Sequence, residues 1–169
     1  MPQTLLALAA MMMATLFALN QQRGIMQTRM SMMRNEVATA ATGVAVDRLE
    51  EVRAMSYDEA TKGEDKIFSP AALTSKPTFT DDAPPIDDID DFDGSYVERF
   101  RVWKSDTLWY GVATAVTYAE ESAPDVPLAD PTHRSKFKKA TVTVSSLNVD
   151  GMDTITISQS FSCGSKCAW

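Results

Sequence analysis

The order of apolar and polar residues divides the chain into a long helical part, followed by a part that is patterned for strands. Residues 1–22 carry no charged side chain, and residues 5–19 form an apolar run that only Thr15 interrupts. Residues 23–56 contain no proline, and apolar residues recur there at steps of three and four, which is the spacing of one helix face. We therefore predict a single helix over residues 1–56.

The second half of this helix is patterned to lie on an apolar surface, with charged side chains on its other faces. The residues that we expect to pack on a sheet are Ala45, Leu49, Val52 and Met55. A helix of this length would extend about 80 Å, far beyond the usual three or four turns, so it must pack against neighbours. Because Gly24 costs roughly 1 kcal/mol relative to alanine, we also predict a bend or local unwinding at residues 20–24.

Residues 96–161 show the alternation of apolar and polar residues that is typical of half-buried strands. Four strands are predicted, at residues 96–104, 107–118, 137–147 and 152–161. The short connections, such as Ser105-Asp106, indicate an antiparallel meander whose apolar face the helix would cover. The predicted fold class is α+β: an N-terminal helix at residues 1–56, its apolar first half exposed as a stalk, and a globular β domain at residues 57–169.

Charge is distributed unevenly along the chain. Residues 1–56 carry a net charge of +1 and residues 57–169 a net charge of −8, which together give the overall −7. An acidic domain repels phosphate backbones, so we expect no nucleic-acid partner.

The acidic segment at residues 87–94 is the one candidate for metal binding. An EF-hand alignment that places Gly94 at the sixth position puts Ile89 at the first and Phe100 at the twelfth, so that motif is excluded. Calcium bound in another geometry would use Asp88, Asp90, Asp91 and Asp93. The alternative is a solvated loop that is anchored to the core by Ile86, Ile89 and Phe92.

Two cysteines, Cys163 and Cys167, lie close together near the C-terminus. Zinc would need about four ligands, and the only histidine, His133, is distant in a polar loop. The pair is either a disulfide or two free thiols. The apolar N-terminal segment suggests export, which favours the disulfide and an oxidising compartment.

The uncharged first 22 residues would reach about 33 Å as a helix, close to the ~30 Å of bilayer hydrocarbon. A membrane-spanning helix is therefore predicted. A cleaved secretory signal is the alternative, but it would need Lys or Arg before the apolar run, and residues 1–4 contain neither.

Sequence motifs for catalysis are absent. The chain has no glycine-rich phosphate loop, no G-x-S-x-G sequence and no histidine placed with an acid and a nucleophile. We therefore predict no enzyme and no cofactor.

A long N-terminal helix, apolar and then amphipathic, followed by a loop, a four-stranded sheet and a C-terminal cysteine pair, resembles type IV pilins and pseudopilins. The resemblance implies a subunit whose apolar half-helix lies in the membrane and is then extracted into an extracellular helical filament. Its partners would be other copies of the chain and an inner-membrane assembly machinery. The implied assembly interface consists of Leu5, Leu6, Leu8, Met12, Leu16, Leu19, Met26, Met30 and Met33.

The chain departs from the family pattern near its N-terminus. The family carries Glu at the fifth mature position and a cleaved basic leader, whereas position five here is Leu5 and the first acidic residue is Glu36. Two alternatives remain: a minor pilin or secretion pseudopilin, and a membrane-anchored binding domain. The latter would engage a partner through the acidic segment and an aromatic surface of Trp103, Trp109 and Tyr110.

Overall fold

A computed structural model describes residues 2–63, 65–79, 86–104, 106–149 and 151–169, with the side chains of Pro2, Thr4 and Leu5 outside that description. Helix α1 spans Pro2–Arg53. The strands are β1 at Tyr96–Trp103, β2 at Asp106–Ala119, β3 at Phe137–Ser146 and β4 at Ile155–Ser162. The connections contain several short 3₁₀ turns.

The chain forms two compact units, Met1–Val37 and Ala38–Trp169. Helix α1 contributes residues to both units. The sequence predicts a domain boundary at residue 56, where the predicted helix ends. The observed division lies between Val37 and Ala38, inside α1. It falls where the apolar stripe of the helix begins to be buried with the sheet.

The second unit contains a four-stranded antiparallel sheet in the order β1-β2-β3-β4. This arrangement confirms the predicted α+β class and the meander. Val112 lies opposite Val144, and Val142 lies opposite Ile157, so branched residues from adjacent strands meet on the inner face. The β1–β2 hairpin pairs as far as Trp103 opposite Asp106. Its turn therefore begins one residue earlier than predicted, at Lys104, which has a φ of 55°.

The part of α1 that belongs to the second unit packs on the inner face of the sheet. Ala45, Leu49 and Val52 are buried, as the three- and four-residue spacing predicts, whereas Met55 lies beyond the helix and is half-buried. Arg48 occupies the same stripe and is buried as well. Helix and sheet therefore share one core. Polar side chains within and beside this core connect the helix to the sheet.

Arg48 and two ion pairs supply those polar contacts. The guanidinium of Arg48 donates to Thr114 Oγ1 at 3.2 Å, to Ser95 Oγ at 3.0 Å and to Glu51 Oε2 at 2.7 Å. Glu51 also accepts from Arg99 of β1 at 2.8 Å. Arg101 of β1 forms an ion pair with Asp47, one helical turn before Glu51. The helix is thus fixed in register against β1 and β2.

Two expectations about α1 are corrected. The helix ends at Arg53, three residues earlier than expected, and the local unwinding expected at residues 20–24 does not occur, because the α-helix is continuous there. The backbone ladder needs no side chain at Gly24, and the Thr28 hydroxyl donates to the Gly24 carbonyl at 2.9 Å. The propensity cost of one glycine is smaller than the cost of interrupting that ladder.

The expected membrane-spanning helix is not found. In the part of the chain that is described, no helix offers a stretch that is both long and apolar enough to cross a bilayer.

Truncation of the buried stripe provides a test of helix packing. Val52→Ala should lower the free energy of unfolding by about 2–3 kcal/mol, because two methyl groups leave a core site that is fully buried. Val46→Ala is the matched control on the same helix, at a side chain that is 45% exposed. It should be neutral or slightly stabilising, since alanine has the higher helix propensity. Urea denaturation of both variants, followed by circular dichroism, measures the difference. Equal effects would contradict this packing.

Candidate functional site

The described side chains of the first unit leave an unusual amount of apolar surface exposed. Leu6, Met13 and Phe17 are 67–74% exposed although each is a large apolar side chain. Since successive helix residues are about 100° apart, the bulky residues between 6 and 19 cover roughly two thirds of the helix circumference. Alanines occupy most of the rest, so this segment has no polar face. A helix that is apolar on all sides is normally covered.

The predicted assembly residues all lie on this exposed surface, except Leu5, whose side chain is outside the described part. Those that the structure shows as exposed are Leu6, Leu8, Met12, Leu16, Leu19, Met26, Met30 and Met33. At about 100° per residue, all of them except Leu6 fall within roughly 100° of the helix circumference, so they form one stripe along α1. Leu6, Met13 and Phe17 lie outside this stripe and extend the exposed apolar surface to a second side of the helix, which suits contact with more than one neighbour.

The acidic segment lies beside the end of α1. The Ile89 N–H donates to the Ser56 carbonyl at 2.9 Å, in a parallel bridge of Ser56 with Asp88. Ile89 and Phe92 are buried, as expected of core anchors, whereas Ile86 is 46% exposed and does not anchor the loop.

The four aspartates proposed as calcium ligands do not gather around one point. Asp91 accepts from the Asp87 N–H at 2.9 Å, Asp93 accepts from the Val116 N–H at 2.8 Å, and Asp90 points towards Lys138. Their carboxylates are therefore used by separate parts of the fold.

The carboxylates of a different acidic group lie close together. This group consists of Glu59, Asp87 and Asp88. The Lys62 ammonium forms ion pairs with the first two, so a side-chain cation already lies at this group.

A buried charged cluster forms around Lys138 of β3. Alternation along the strand turns Lys138 inward with Ala140 and Val142, and its side chain is fully buried. The ammonium donates to the Tyr57 carbonyl at 2.8 Å, to Asp58 Oδ2 at 2.9 Å and to Asp90 Oδ1. A buried lysine needs such partners, because an isolated ammonium out of water would cost several kcal/mol.

Asp58 reaches the cluster because it caps the first 3₁₀ turn after α1. Its Oδ1 accepts from the Ala60 N–H at 3.2 Å. Its Oδ2 accepts from the Thr74 N–H at 3.0 Å, while the Tyr118 hydroxyl nearby donates to the Thr74 carbonyl at 2.7 Å. Both oxygens of Asp58 are therefore satisfied by neutral donors in addition to Lys138.

Three aromatic rings enclose the ammonium. The Nζ atom lies 4.4 Å from the ring centroid of Tyr57, 5.1 Å from that of Tyr118 and 5.3 Å from that of Phe79. Burial raises the pKa of both tyrosines well above the usual range, and the nearby aspartates add to the effect. The hydroxyls therefore remain neutral, and the cluster is closed to solvent on these sides.

Asp90 is satisfied less well than Asp58. Its Oδ2 atom is buried and has no hydrogen-bond partner among the described residues. Burial raises the pKa of Asp90 to about 8, although the Lys138 ammonium beside it acts to lower that value. Asp90 is therefore a carboxyl whose charged form is poorly stabilised by its surroundings.

The aromatic surface expected of a binding domain is not assembled. Tyr110 is buried on the inner face of the sheet, whereas Trp109 lies on the outer face and contacts the Phe100 ring at 5.4 Å between centroids. The Trp103 ring is covered by the ammonium of Lys104, 4.1 Å from its centroid. His133 lies exposed in its loop, as predicted.

The predicted disulfide between Cys163 and Cys167 is confirmed. Both cysteines are buried, and backbone hydrogen bonds of 2.8 Å join Ile67 to Lys166 and to Ala168. The bridged ring therefore holds the C-terminus against the connection that follows α1.

Lys138 and Arg48 are the residues that sequence reasoning missed. Each falls at a position where the pattern requires an apolar residue: Lys138 in the strand alternation and Arg48 between Ala45 and Val52 on the helix stripe. A charged residue at such a position is itself a signal for a buried partner.

Comparisons with known proteins give no relative for this chain: no protein-family model, no curated protein and no solved structure matches it.

Removal of the buried ammonium tests the cluster. Lys138→Met should lower the free energy of unfolding by about 3–5 kcal/mol, because Asp58 is left buried and charged without its cation. Lys139→Met is the matched control at the next residue, since the Lys139 ammonium donates to the Asp125 carbonyl at 2.6 Å in an exposed contact. That variant should change stability by less than about 0.5 kcal/mol. The measurement is the urea concentration at the midpoint of unfolding for both variants. A Lys138→Met variant as stable as the control would contradict a stabilising role for the buried ammonium.

Proposed function

We propose that this chain is a structural subunit of an extracellular, type IV pilin-like helical filament. The subunits polymerise through the apolar first part of α1. The observation that supports this proposal is the uncharged helical segment at residues 6–19, which exposes large apolar side chains around most of its circumference. Monomeric proteins rarely leave contiguous apolar surface of this extent uncovered, so the segment requires an occupant.

A second copy of the same segment fits that requirement. Ala7, Ala10, Ala14 and Ala18 recur at steps of three and four and are exposed, so they form a narrow groove between bulky residues. Small residues allow helix axes to approach closely, and the bulky side chains of one helix can then fill the alanine groove of the next.

The methionines suit a helix that packs against different neighbours on its different sides. Met11, Met12 and Met13 are consecutive and all exposed, so they face in different directions. Unbranched thioether side chains adapt to irregular gaps between helices. At about 25 cal/mol per Å² of apolar area removed from water, a few hundred Å² per contact would contribute many kcal/mol over several neighbours.

Contacts of this kind are heterologous, because the bulky arc of one helix meets the alanine groove of another. Heterologous contacts that do not close into a ring generate an open helical polymer. The disulfide supports an oxidising location outside the cytoplasm, where such a filament would be found. The order of helix, antiparallel sheet and C-terminal disulfide is also the order that type IV pilins have.

Charged substitution in the apolar segment tests the proposed polymerisation. Leu8→Asp or Leu16→Asp should abolish filaments, because each copy would bury an unpaired carboxylate. The second unit should remain folded in both variants. The measurement is electron microscopy of the supernatant from sheared cells, with circular dichroism of the purified chain to confirm folding.

Val126→Asp is the matched control for that experiment. Val126 is an exposed apolar side chain of the second unit, and its replacement should leave filaments unchanged. Normal filaments from Leu8→Asp and Leu16→Asp would refute polymerisation through this segment. Wild-type chain that remains monomeric in every fraction would refute the filament itself.

A further inference from the structure

We propose that Lys138 and Asp90 are a self-reacting pair, in which the lysine Nζ condenses with the Asp90 carboxyl to form an intramolecular amide cross-link. This modification is independent of the proposed filament function, since it depends only on the interior of the second unit. It would join β3 to the segment before β1 through a covalent bond between side chains that are 48 positions apart.

The reacting groups are held together in the folded chain. The Nζ atom of Lys138 contacts Asp90 Oδ1 directly, and both side chains are almost completely buried. Their rotation is restricted by the rings of Tyr57, Tyr118 and Phe79 around the ammonium. Fixed proximity of this kind converts a slow reaction between two molecules into a unimolecular one, with effective molarities that reach about 10⁵ M or more.

The dry surroundings favour an amide over an ion pair. Desolvation disfavours the charged forms of both lysine and aspartate, and proton transfer between them yields a neutral amine and a neutral carboxylic acid. Water, which would reverse the condensation, is excluded by the aromatic enclosure. An amide also removes the cost of holding these charges inside the protein.

The two aspartates are suited to different roles. Asp58 accepts hydrogen bonds from the Thr74 N–H at 3.0 Å and the Ala60 N–H at 3.2 Å, which stabilise its carboxylate. Asp90 lacks such donors, and its buried Oδ2 has no partner in the described part of the chain. The raised pKa of Asp90, about 8, agrees with a protonated carboxyl whose hydroxyl can leave. Asp58 is therefore the proton carrier, and Asp90 is the electrophile.

The reaction balances without any co-reactant. Lys138 Nζ, initially an ammonium, transfers one proton to the Asp58 carboxylate, which lies 2.9 Å away. The freed lone pair attacks Cγ of Asp90, and a new N–C bond forms. A second proton from Nζ, relayed by Asp58, joins the Asp90 hydroxyl, and the C–O bond breaks to release one water. The products are an amide, a water molecule and a protonated Asp58, so no net charge is created.

The mass of the full-length chain tests the cross-link directly. Purified wild-type protein, denatured and with its disulfide reduced, should be lighter than its sequence mass by one water. The variants Lys138→Arg and Asp90→Ala should have their full sequence mass. Asp58→Asn keeps a side chain of the same shape but removes the proton carrier, so most of its molecules should retain the water.

Peptide mapping locates the lost water. After trypsin digestion, the fragment that contains residue 90 should be joined to the one that contains residue 138, and no cleavage should occur after Lys138. Folded wild-type chain of full mass would overturn the proposal, whether or not the variants fold. A water lost instead at Asp93-Gly94 or Asp150-Gly151, where a succinimide can form, or an amide to Asp58, would overturn it as well.

Discussion

The need to bury the Lys138 ammonium without water governs how the connections of the second unit are arranged. Its nitrogen contacts the carbonyl of Tyr57, four residues after α1 ends, Asp90 in the turn before β1, and the ring of Tyr118 in β2. The first two of these segments are irregular and have little periodicity of their own. A single cation that needs acceptors and aromatic neighbours gives them a common point at which to meet. The core of the second unit is therefore organised by electrostatics as well as by apolar packing.

Helix α1 meets two different physical demands along one continuous backbone. In the second unit its apolar stripe, with Arg48 at the centre, is buried and hydrogen-bonded to the sheet. In the first unit the described side chains are exposed and almost entirely apolar between residues 6 and 19. The apolar side chains of one half are buried within the chain, whereas those of the other half are exposed. This difference is the basis for the proposed polymerisation.

The regular elements could be predicted from sequence because their signals are local. The alternation of Ala140, Val142 and Val144 and the spacing of Ala45, Leu49 and Val52 each follow from the geometry of a single element. The buried cluster could not be predicted in this way, since Asp58, Asp90 and Lys138 are brought together only by tertiary folding. The sequence groups Asp90 with possible calcium ligands because neighbouring aspartates are alike in a sequence, whereas their partners in the fold differ. The helix end and the continuity at Gly24 depended on small energy differences that composition does not resolve.

The position of β1 at the edge of the sheet affects how neighbouring copies of the chain can associate. It forms one edge of the sheet, and an exposed edge strand is a template for pairing with another copy. Along this edge Glu98 is exposed, and Arg99 and Arg101 form ion pairs with acids of α1, so charged side chains that already have partners hinder edge-to-edge pairing. At the crowding expected inside a polymer, such an edge would discourage amyloid-like association. Ordered growth would then be left to the helix surface.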